Sequence, residues 1–203
     1  MNETLIIGVT GQTGAGKTTI SNEFKKCGYA VIDADAVSRR VLSNNKECIN
    51  RLKNEFGSDI SQNGVINRRL LASRAFSNEH NVLKLNEITH PYIVKEILSH
   101  INEFKTNGND IIIIDAPLLF EAGLDKICNR VIAVVAPLEI RVERIKRRDN
   151  LTQQEAIARI SAQKEDDFYM SRADYIIDGQ QNAECLKSKI KELISDLVEG
   201  KNV

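Results

Sequence analysis

The chain has 203 residues, enough for one mid-sized domain with a substantial buried core. Its 42% hydrophobic and 28% charged residues are typical of a globular protein and exclude intrinsic disorder as the main state. Lys and Arg together number 28, as do Asp and Glu, so the formal net charge is zero. This balance provides no overall basic surface, and we therefore expect neither nucleic acid nor a membrane as a partner.

No apolar run approaches the roughly 18 residues that a membrane-spanning helix needs. The chain begins Met1, Asn2, Glu3 and shows neither the basic region nor the long apolar region of a secretion signal. The four cysteines form no Cys-x-x-Cys pair and no cluster with histidine, which argues against a zinc site or a disulfide framework. They are Cys27, Cys48, Cys128 and Cys185. We therefore expect reduced thiols in a cytoplasmic protein.

Five short apolar runs predict the strands of one parallel sheet that is covered on both faces. They occupy residues 4–10, 29–33, 110–115, 130–136 and 173–178. A helix is predicted over residues 17–27, and a closing helix over residues 186–198, where apolar residues recur at helical spacing. The predicted fold class is therefore α/β.

Two insertions interrupt this alternation of strands and helices. The stretch between the second and third strands is longer than one crossover helix needs, and helices are predicted at 34–42, 46–56, 68–76 and 91–104. After the fourth strand, residues 138–148 predict a helix, and Thr152 with Glu155 predicts a capping box that starts the next one. We treat residues 1–203 as a single domain, with a core over about 1–33, 108–137 and 170–203.

A phosphate-binding loop is the strongest signal in the sequence. Gly11-Gln-Thr-Gly-Ala-Gly-Lys17-Thr18 fits the pattern Gly-x-x-x-x-Gly-Lys-Ser/Thr and lies between a predicted strand and a predicted helix. The glycines let consecutive N–H groups surround phosphates, and the helix N-terminus adds partial positive charge. Lys17 is expected to reach the β- and γ-phosphates, and the Thr18 hydroxyl to ligate Mg²⁺.

Three carboxylates lie at or just after the ends of predicted strands, at the edge of the sheet where ligands of open α/β folds bind. Asp115 is expected to orient Mg²⁺, and the alternative is a solvated carboxylate at a strand end. Asp33 is expected to help position Mg²⁺, whereas Asp35 can accept the proton of an attacking hydroxyl. The alternative for Asp33 and Asp35 is a helix N-cap, because Asp is a good capping residue.

A basic run follows the fourth strand. Its members are Arg141, Arg144, Lys146, Arg147 and Arg148, opposed there by Glu143. A helix would align Arg141, Arg144 and Arg148 on one face, which could neutralise the charge of a triphosphate in the transition state. The alternative is a solvated helix face. His90-Pro91 is a weaker signal: Pro91 suits a helix start, and a single histidine is more often structural than catalytic.

Six segments, in this order and spacing, resemble the dephospho-coenzyme A kinase family. They are GVTGQTGAGKTT at 8–19, VIDADAVSRRVL at 31–42, HPYI at 90–93, IIIIDAPLLFEAGL at 111–124, RIKRRDNLTQQEAIARISAQ at 144–163 and ADYIID at 173–178. The resemblance implies ATP-dependent phosphorylation of the ribose 3'-hydroxyl of dephospho-CoA, with Mg²⁺, as the last step of coenzyme A synthesis. It also implies a three-layer P-loop kinase core, a helical acceptor-binding subdomain over about 34–107 and an Arg-bearing lid over about 138–169.

The resemblance also implies roles for individual residues. ATP would be bound by Gly14, Ala15, Gly16, Lys17, Thr18 and Thr19. The catalytic residues would be Lys17, the proposed base Asp35, and the lid arginines Arg144 and Arg148. The acceptor region would include Asp33, Asp35, His90, Leu118, Leu119 and Phe120, although the two leucines and the phenylalanine also suit an ordinary core. The metal would be held by Thr18, Asp33 and Asp115.

Two parts of the chain depart from the family pattern. The commoner loop Gly-Gly-Ile-Gly-Ser-Gly-Lys-Ser is here Gly-Gln-Thr-Gly-Ala-Gly-Lys-Thr, which keeps the required glycines and the hydroxyl. The family's usual Asn after the last strand is here Gly179, which puts an Asn-mediated adenine contact in doubt. Two other functions stay open on the residues alone: a P-loop kinase of another small acceptor, and a nucleotide-dependent switch that binds a protein partner. The sequence leaves the oligomeric state open.

Overall fold

The structure, a computed structural model, describes residues 4–62 and 64–198. The strands are β1 Leu5–Thr10, β2 Ala30–Asp33, β3 Ser61–Gln62, β4 Val65–Ile66, β5 Ile111–Asp115, β6 Arg130–Val135 and β7 Tyr175–Asp178. The helices are α1 Lys17–Lys26, α2 Ala34–Asn44, α3 Lys46–Phe56, α4 Arg68–Ala75, α5 Glu79–Thr106, α6 Leu138–Asp149, α7 Gln153–Ser161, α8 Asp166–Met170 and α9 Ala183–Val198. Residues 1–3, on which the expectation of no secretion signal partly depended, lie outside the described ranges.

The main sheet has five strands in the order β2-β5-β1-β6-β7. Strand β1 pairs in parallel with β5 and β6, and β6 pairs in parallel with β7. Val9 near the end of β1 lies opposite Asp115 on one side and Ile132 on the other, so these strands end at a common edge. The predicted five-stranded parallel sheet and the α/β class are confirmed. The three central strands are short, almost wholly apolar runs and are largely buried, as expected of a sheet covered on both faces.

Helices α1 and α9 cover one face of this sheet. Phe24 of α1 and Ile190 of α9 are fully buried with Ile7 and Val9 of β1 and Val134 of β6 in one apolar cluster. The other face of β1 contacts the segment after β5. A Cβ at Gly8 would lie 2.8 Å from Leu119 Cδ2 and 3.0 Å from Cys128 Sγ, so glycine allows this segment to pack directly on the strand.

The chain divides into two compact units. The core unit contains the residues up to Val31 and from Gly108 onward, and the insert is Ile32–Asn107. Within the insert, helices α2, α3 and α4 pack against α5. Strands β3 and β4 form a small antiparallel pair that the sequence did not predict, since each has only two residues.

Helix α5 corrects the expectation for Pro91. Pro91 does not start a helix: it lies inside α5, whose N-cap Asn78 accepts a hydrogen bond from the Asn81 N–H at 2.9 Å. Proline removes one helical hydrogen bond, yet the helix continues because one of its faces is buried on both sides of that position. The buried residues of α5 are Ile88, Thr89, Ile93, Ile97 and Ile101. No helix in the described ranges is long and apolar enough to cross a membrane.

Helices α6 and α7 pack together through a small apolar cluster of their own. Val142 and Ile145 of α6 are buried against Ala156 and Ile160 of α7. The predicted capping box is present at the start of α7, where Thr152 and Glu155 each bond the other's backbone N–H. The two helices therefore form one packed pair, which we call the α6–α7 pair.

Candidate active site

The loop between β1 and α1 has the backbone of an anion-binding site. Gly14 and Gly16 have φ of 79° and 111°, in the left-handed region that favours glycine. Gly16 is the N-cap of α1 and no side chain caps the helix. The first N–H groups of α1 and the preceding loop therefore form a concave surface that suits phosphate oxygens. We call residues 11–18 the phosphate loop.

Lys17 and Thr18 begin α1 as the sequence predicted. The Lys17 ammonium donates hydrogen bonds to the carbonyl oxygens of Gly11 at 2.7 Å and Gln12 at 3.4 Å, so it lies across the loop. Thr18 and Thr19 are exposed on the first turn of the helix. This places an ammonium group and a hydroxyl beside the amides that would receive a triphosphate.

Asp115 lies at the end of β5 and is tied to α1. Buried Ser21 donates a hydrogen bond from Oγ to Asp115 Oδ2 at 2.6 Å, which orients the carboxylate at the edge of the sheet. Within the described ranges no three His, Cys, Asp or Glu side chains gather into a metal-binding cluster. The Thr18 hydroxyl and the Asp115 carboxylate have the chemistry of Mg²⁺ ligands, and Mg²⁺ usually takes few protein ligands and keeps phosphate oxygens and waters.

The three arginines predicted on one face of α6 have different environments. Arg144 donates from Nη1 to the carbonyl oxygens of Gly14 and Ala15, both at 3.1 Å, and from Nη2 to that of Gly179 at 2.8 Å. Arg144 therefore contacts the phosphate loop directly.

Arg141 and Arg148 contact neighbouring acids instead. Arg141 is buried and lies 3.3 Å from Asp166. Exposed Arg148 donates to both carboxylate oxygens of Asp149, at 2.9 and 2.8 Å, and holds the pKa of that carboxyl below its ordinary value. Of the two predicted lid arginines, Arg144 is the one that the structure places on the phosphate loop.

The three predicted acceptor residues of the insert have different environments. Asp33 is the N-cap of α2: its Oδ1 accepts from the Ala36 N–H at 2.8 Å, and its Oδ2 lies 3.7 Å from Arg39 Nη2. The capping alternative is thus observed for Asp33. Asp35 lies in the first turn of α2 with an exposed side chain. His90 lies in α5, where burial lowers the pKa of its imidazole.

The three apolar candidates after β5 also differ from one another. Leu119 is fully buried and contributes to the core, whereas Leu118 is 44% exposed. Phe120 makes an edge-to-face contact with Phe168 of α8, with ring centroids 5.8 Å apart. An exposed leucine and a partly covered phenylalanine can contact a ligand, but Leu119 is placed as an ordinary core residue.

Sequence reasoning missed several residues that contact the phosphate loop or its helix. Ser21 orients Asp115, and Gln163 Oε1 accepts a hydrogen bond from the Thr13 N–H at 2.8 Å. Gln12 donates from Nε2 to the carbonyl oxygen of Lys164. Only Ser21 had a local signal, since it lies one helical turn beyond Lys17 and Thr18 on α1. Gln12 and Gln163 lie in segments that resemble the family, but each is distant in sequence from its partner, so no local spacing relates the two.

Comparison with known proteins identifies the family to which this site belongs. The family model for dephospho-CoA kinase matches residues 5–184, which include the phosphate loop, the insert and the α6–α7 pair. The chain belongs to the dephospho-CoA kinase family. The dephospho-CoA kinase of Bacillus licheniformis is 33% identical over 192 residues, covering 94% of this chain and 96% of that protein.

Solved structures show the same fold. TT1252 from Thermus thermophilus superposes with a TM-score of 0.81 at 30% identity, covering 96% of this chain and 98% of that one. The dephospho-CoA kinase from Campylobacter jejuni gives a TM-score of 0.69 at 24% identity, covering 96% and 98%. At that identity the second likeness supports the fold alone.

Proposed function

We propose that the protein transfers the γ-phosphoryl group of ATP to the ribose 3'-hydroxyl of dephospho-CoA, producing coenzyme A and ADP. Membership of the dephospho-CoA kinase family over residues 5–184 is the observation that carries this proposal. The phosphate loop supports the donor half of the reaction, since its left-handed glycines and uncapped helix suit a triphosphate. The four cysteines are free thiols, which supports a cytoplasmic location.

The donor site would be formed by backbone and side-chain groups of the phosphate loop. The amides from Gly14 to Thr19 would hold the phosphates, and the Lys17 ammonium would turn from the loop carbonyls toward the β- and γ-phosphates. Thr18 and Asp115 would hold Mg²⁺, with Asp33 as a further candidate. The bound ion would neutralise charge on the phosphate oxygens.

The acceptor step needs a group that takes the hydroxyl proton. We assign that role to Asp35, because its carboxylate is exposed at the start of α2 while Asp33 caps the same helix. The 3'-oxygen forms a bond to the γ-phosphorus, the bond from that phosphorus to the ADP oxygen breaks, and the proton passes to Asp35. Asp35 would thereby orient the hydroxyl before it loses its proton.

Lys17 and the arginines of the α6–α7 pair would supply the positive charge that stabilises the negatively charged transferring phosphoryl group. Arg144 is the better placed arginine, since its guanidinium already contacts the phosphate-loop backbone at two carbonyl oxygens. Arg148 would contribute by leaving its exposed pairing with Asp149. We assign the insert, with His90, and the segment with Leu118 and Phe120 to acceptor binding, and residues 138–169 to a lid.

An acceptor panel tests the substrate. We expect turnover with dephospho-CoA and none with coenzyme A, whose 3'-hydroxyl is already phosphorylated and which serves as the matched control. Adenosine and AMP test whether the nucleoside alone is accepted. Faster phosphorylation of another small hydroxyl compound would favour a different P-loop kinase. Slow ATP hydrolysis that no small acceptor stimulates would favour a nucleotide-dependent switch.

A further inference from the structure

Two hydrogen bonds join the phosphate loop to the segment that follows α7. Gln163 Oε1 accepts from the backbone N–H of Thr13 at 2.8 Å, and Gln12 Nε2 donates to the Lys164 carbonyl oxygen. Gln12 is buried, and its Oε1 has no hydrogen-bond partner, so this side chain is held by its donation to Lys164. The second and third residues of the loop are therefore both tied to adjacent residues of one segment.

Arg144 of α6, the helix that packs on α7, contacts the loop at its next two residues. Gln163 comes directly after α7, which ends at the C-cap Ala162, and α7 packs on α6 through a buried apolar cluster. From α6, Arg144 donates to the carbonyl oxygens of Gly14 and Ala15. The loop is thus held by an acceptor on Gln163, directly after α7, and by a donor group on Arg144 of α6 that reaches two carbonyls.

We propose that Gln163 is a positioning residue for the phosphate donor, and that its carboxamide oxygen fixes the first half of the phosphate loop in the shape that receives the nucleotide. This inference rests on the proposed function, because it assigns a residue of the donor site. A neutral acceptor suits the position: it satisfies the Thr13 N–H without bringing negative charge to a loop that binds a triphosphate. A carboxylate there would satisfy the same N–H but repel the phosphates.

The test uses two substitutions of Gln163 that separate hydrogen bonding from charge. Gln163→Met keeps the length of the side chain and removes the acceptor, and Gln163→Glu keeps the acceptor and adds charge. Calorimetry with Mg²⁺-ADP measures donor binding without the acceptor, and kinetics give separate KM values for ATP and dephospho-CoA. Gln154→Glu on the exposed side of α7 is the matched control for charge.

We expect Gln163→Met to weaken ADP binding about fivefold, the factor that one neutral hydrogen bond supplies. We expect Gln163→Glu to weaken it about tenfold or more, with a loss that shrinks as salt is raised. The KM for ATP should rise in both variants while the KM for dephospho-CoA stays unchanged. Gln163→Glu should keep the thermal stability of the wild type. If its ADP affinity fell only because the fold was destabilised, the melting temperature would fall as well.

ADP affinity within twofold of the wild type in Gln163→Met would overturn the proposal, as would a rise confined to the KM for dephospho-CoA. If Gln163→Met does not fold, the comparison of Gln163→Glu with Gln154→Glu decides: equal ADP affinities contradict the positioning role. If the variants weaken ADP binding as expected but the wild type does not phosphorylate dephospho-CoA, the proposed function is refuted and the role of Gln163 stands.

Discussion

Gly179 and Ala15 approach each other so closely that position 179 has no room for a side chain. A Cβ at Gly179 would lie 1.8 Å from the Ala15 carbonyl oxygen. The Gly179 backbone is also engaged, since its N–H donates to Val135 O and its carbonyl oxygen accepts from Arg144, both at 2.8 Å. In this chain the residue after β7 therefore supports the phosphate loop through its backbone.

Gly179→Ala should consequently distort the loop, because the clash is with backbone that cannot rotate away. We expect a loss of about 1–3 kcal/mol in the free energy of unfolding, the usual range for overpacking. ADP binding should weaken as well. Urea denaturation and calorimetry of Gly179→Ala beside the wild type measure the two effects. Unfolding free energy and ADP affinity equal to those of the wild type would contradict the close contact.

Lys17→Ala should abolish phosphoryl transfer while the protein stays folded. The ammonium contacts two loop carbonyls and is placed beside the amides that would hold the phosphates. Turnover and thermal unfolding should be measured on the same preparation. Turnover close to that of the wild type would show that the assignment of the phosphate loop is wrong.

The two lid arginines should respond differently to substitution. Arg144→Ala removes donors from three backbone carbonyls, so we expect both lower stability and a loss in kcat of about 100-fold or more. Arg148→Ala breaks an exposed ion pair and should cost stability by at most about 1 kcal/mol, with the larger effect on kcat. Lysine at position 144 should rescue poorly, because an ammonium cannot bridge the same carbonyls.

Kinetics of both arginine variants at varied dephospho-CoA test this assignment. A rise in the acceptor KM with unchanged kcat would move these residues from the lid to acceptor binding.

Substitution by asparagine separates the roles of Asp35 and Asp33. Asp35→Asn should lower kcat by roughly 10²- to 10⁴-fold while ATP still binds, since the amide cannot take the hydroxyl proton. Asp33→Asn should keep its stability, because Asn is as good an N-cap for α2 as Asp, and added Mg²⁺ should partly restore its activity. Asp33→Ala, which loses the cap, should lose about 1 kcal/mol of stability.

The magnesium dependence of kcat in the two asparagine variants is the measurement that decides. A nearly active Asp35→Asn, together with an inactive Asp33→Asn that Mg²⁺ does not restore, would exchange the two roles.

Local patterns were sufficient to predict the sheet and the phosphate loop. The five strands are short apolar runs, and the loop is a contiguous motif between a strand and a helix, so both are visible in a few neighbouring residues. The predicted start of α5 was wrong, because Pro91 suits a helix start. The observed start depends on the Asn78 cap and on burial further along the helix. A proline predicts a helix start from local sequence, but tertiary packing can keep it inside a helix.

Contacts between distant segments could not be predicted in the same way. Gln163 and Thr13 are 150 positions apart, and Arg144 and Gly179 are 35 apart, so no periodicity relates them. Helical spacing grouped Arg141 with Arg144 and Arg148, but Arg141 is buried beside Asp166. Which arginine reaches the loop depends on how α6 packs against the core, and that is a tertiary property.

The most direct test of the central claim is release of ADP from Mg²⁺-ATP with and without dephospho-CoA, followed by the mass of the acceptor product. We predict that dephospho-CoA stimulates ADP release and that the product gains one phosphate and matches authentic coenzyme A. ADP release that dephospho-CoA does not stimulate, or a product without added phosphate, would contradict the assignment of this chain as an ATP-dependent dephospho-CoA kinase.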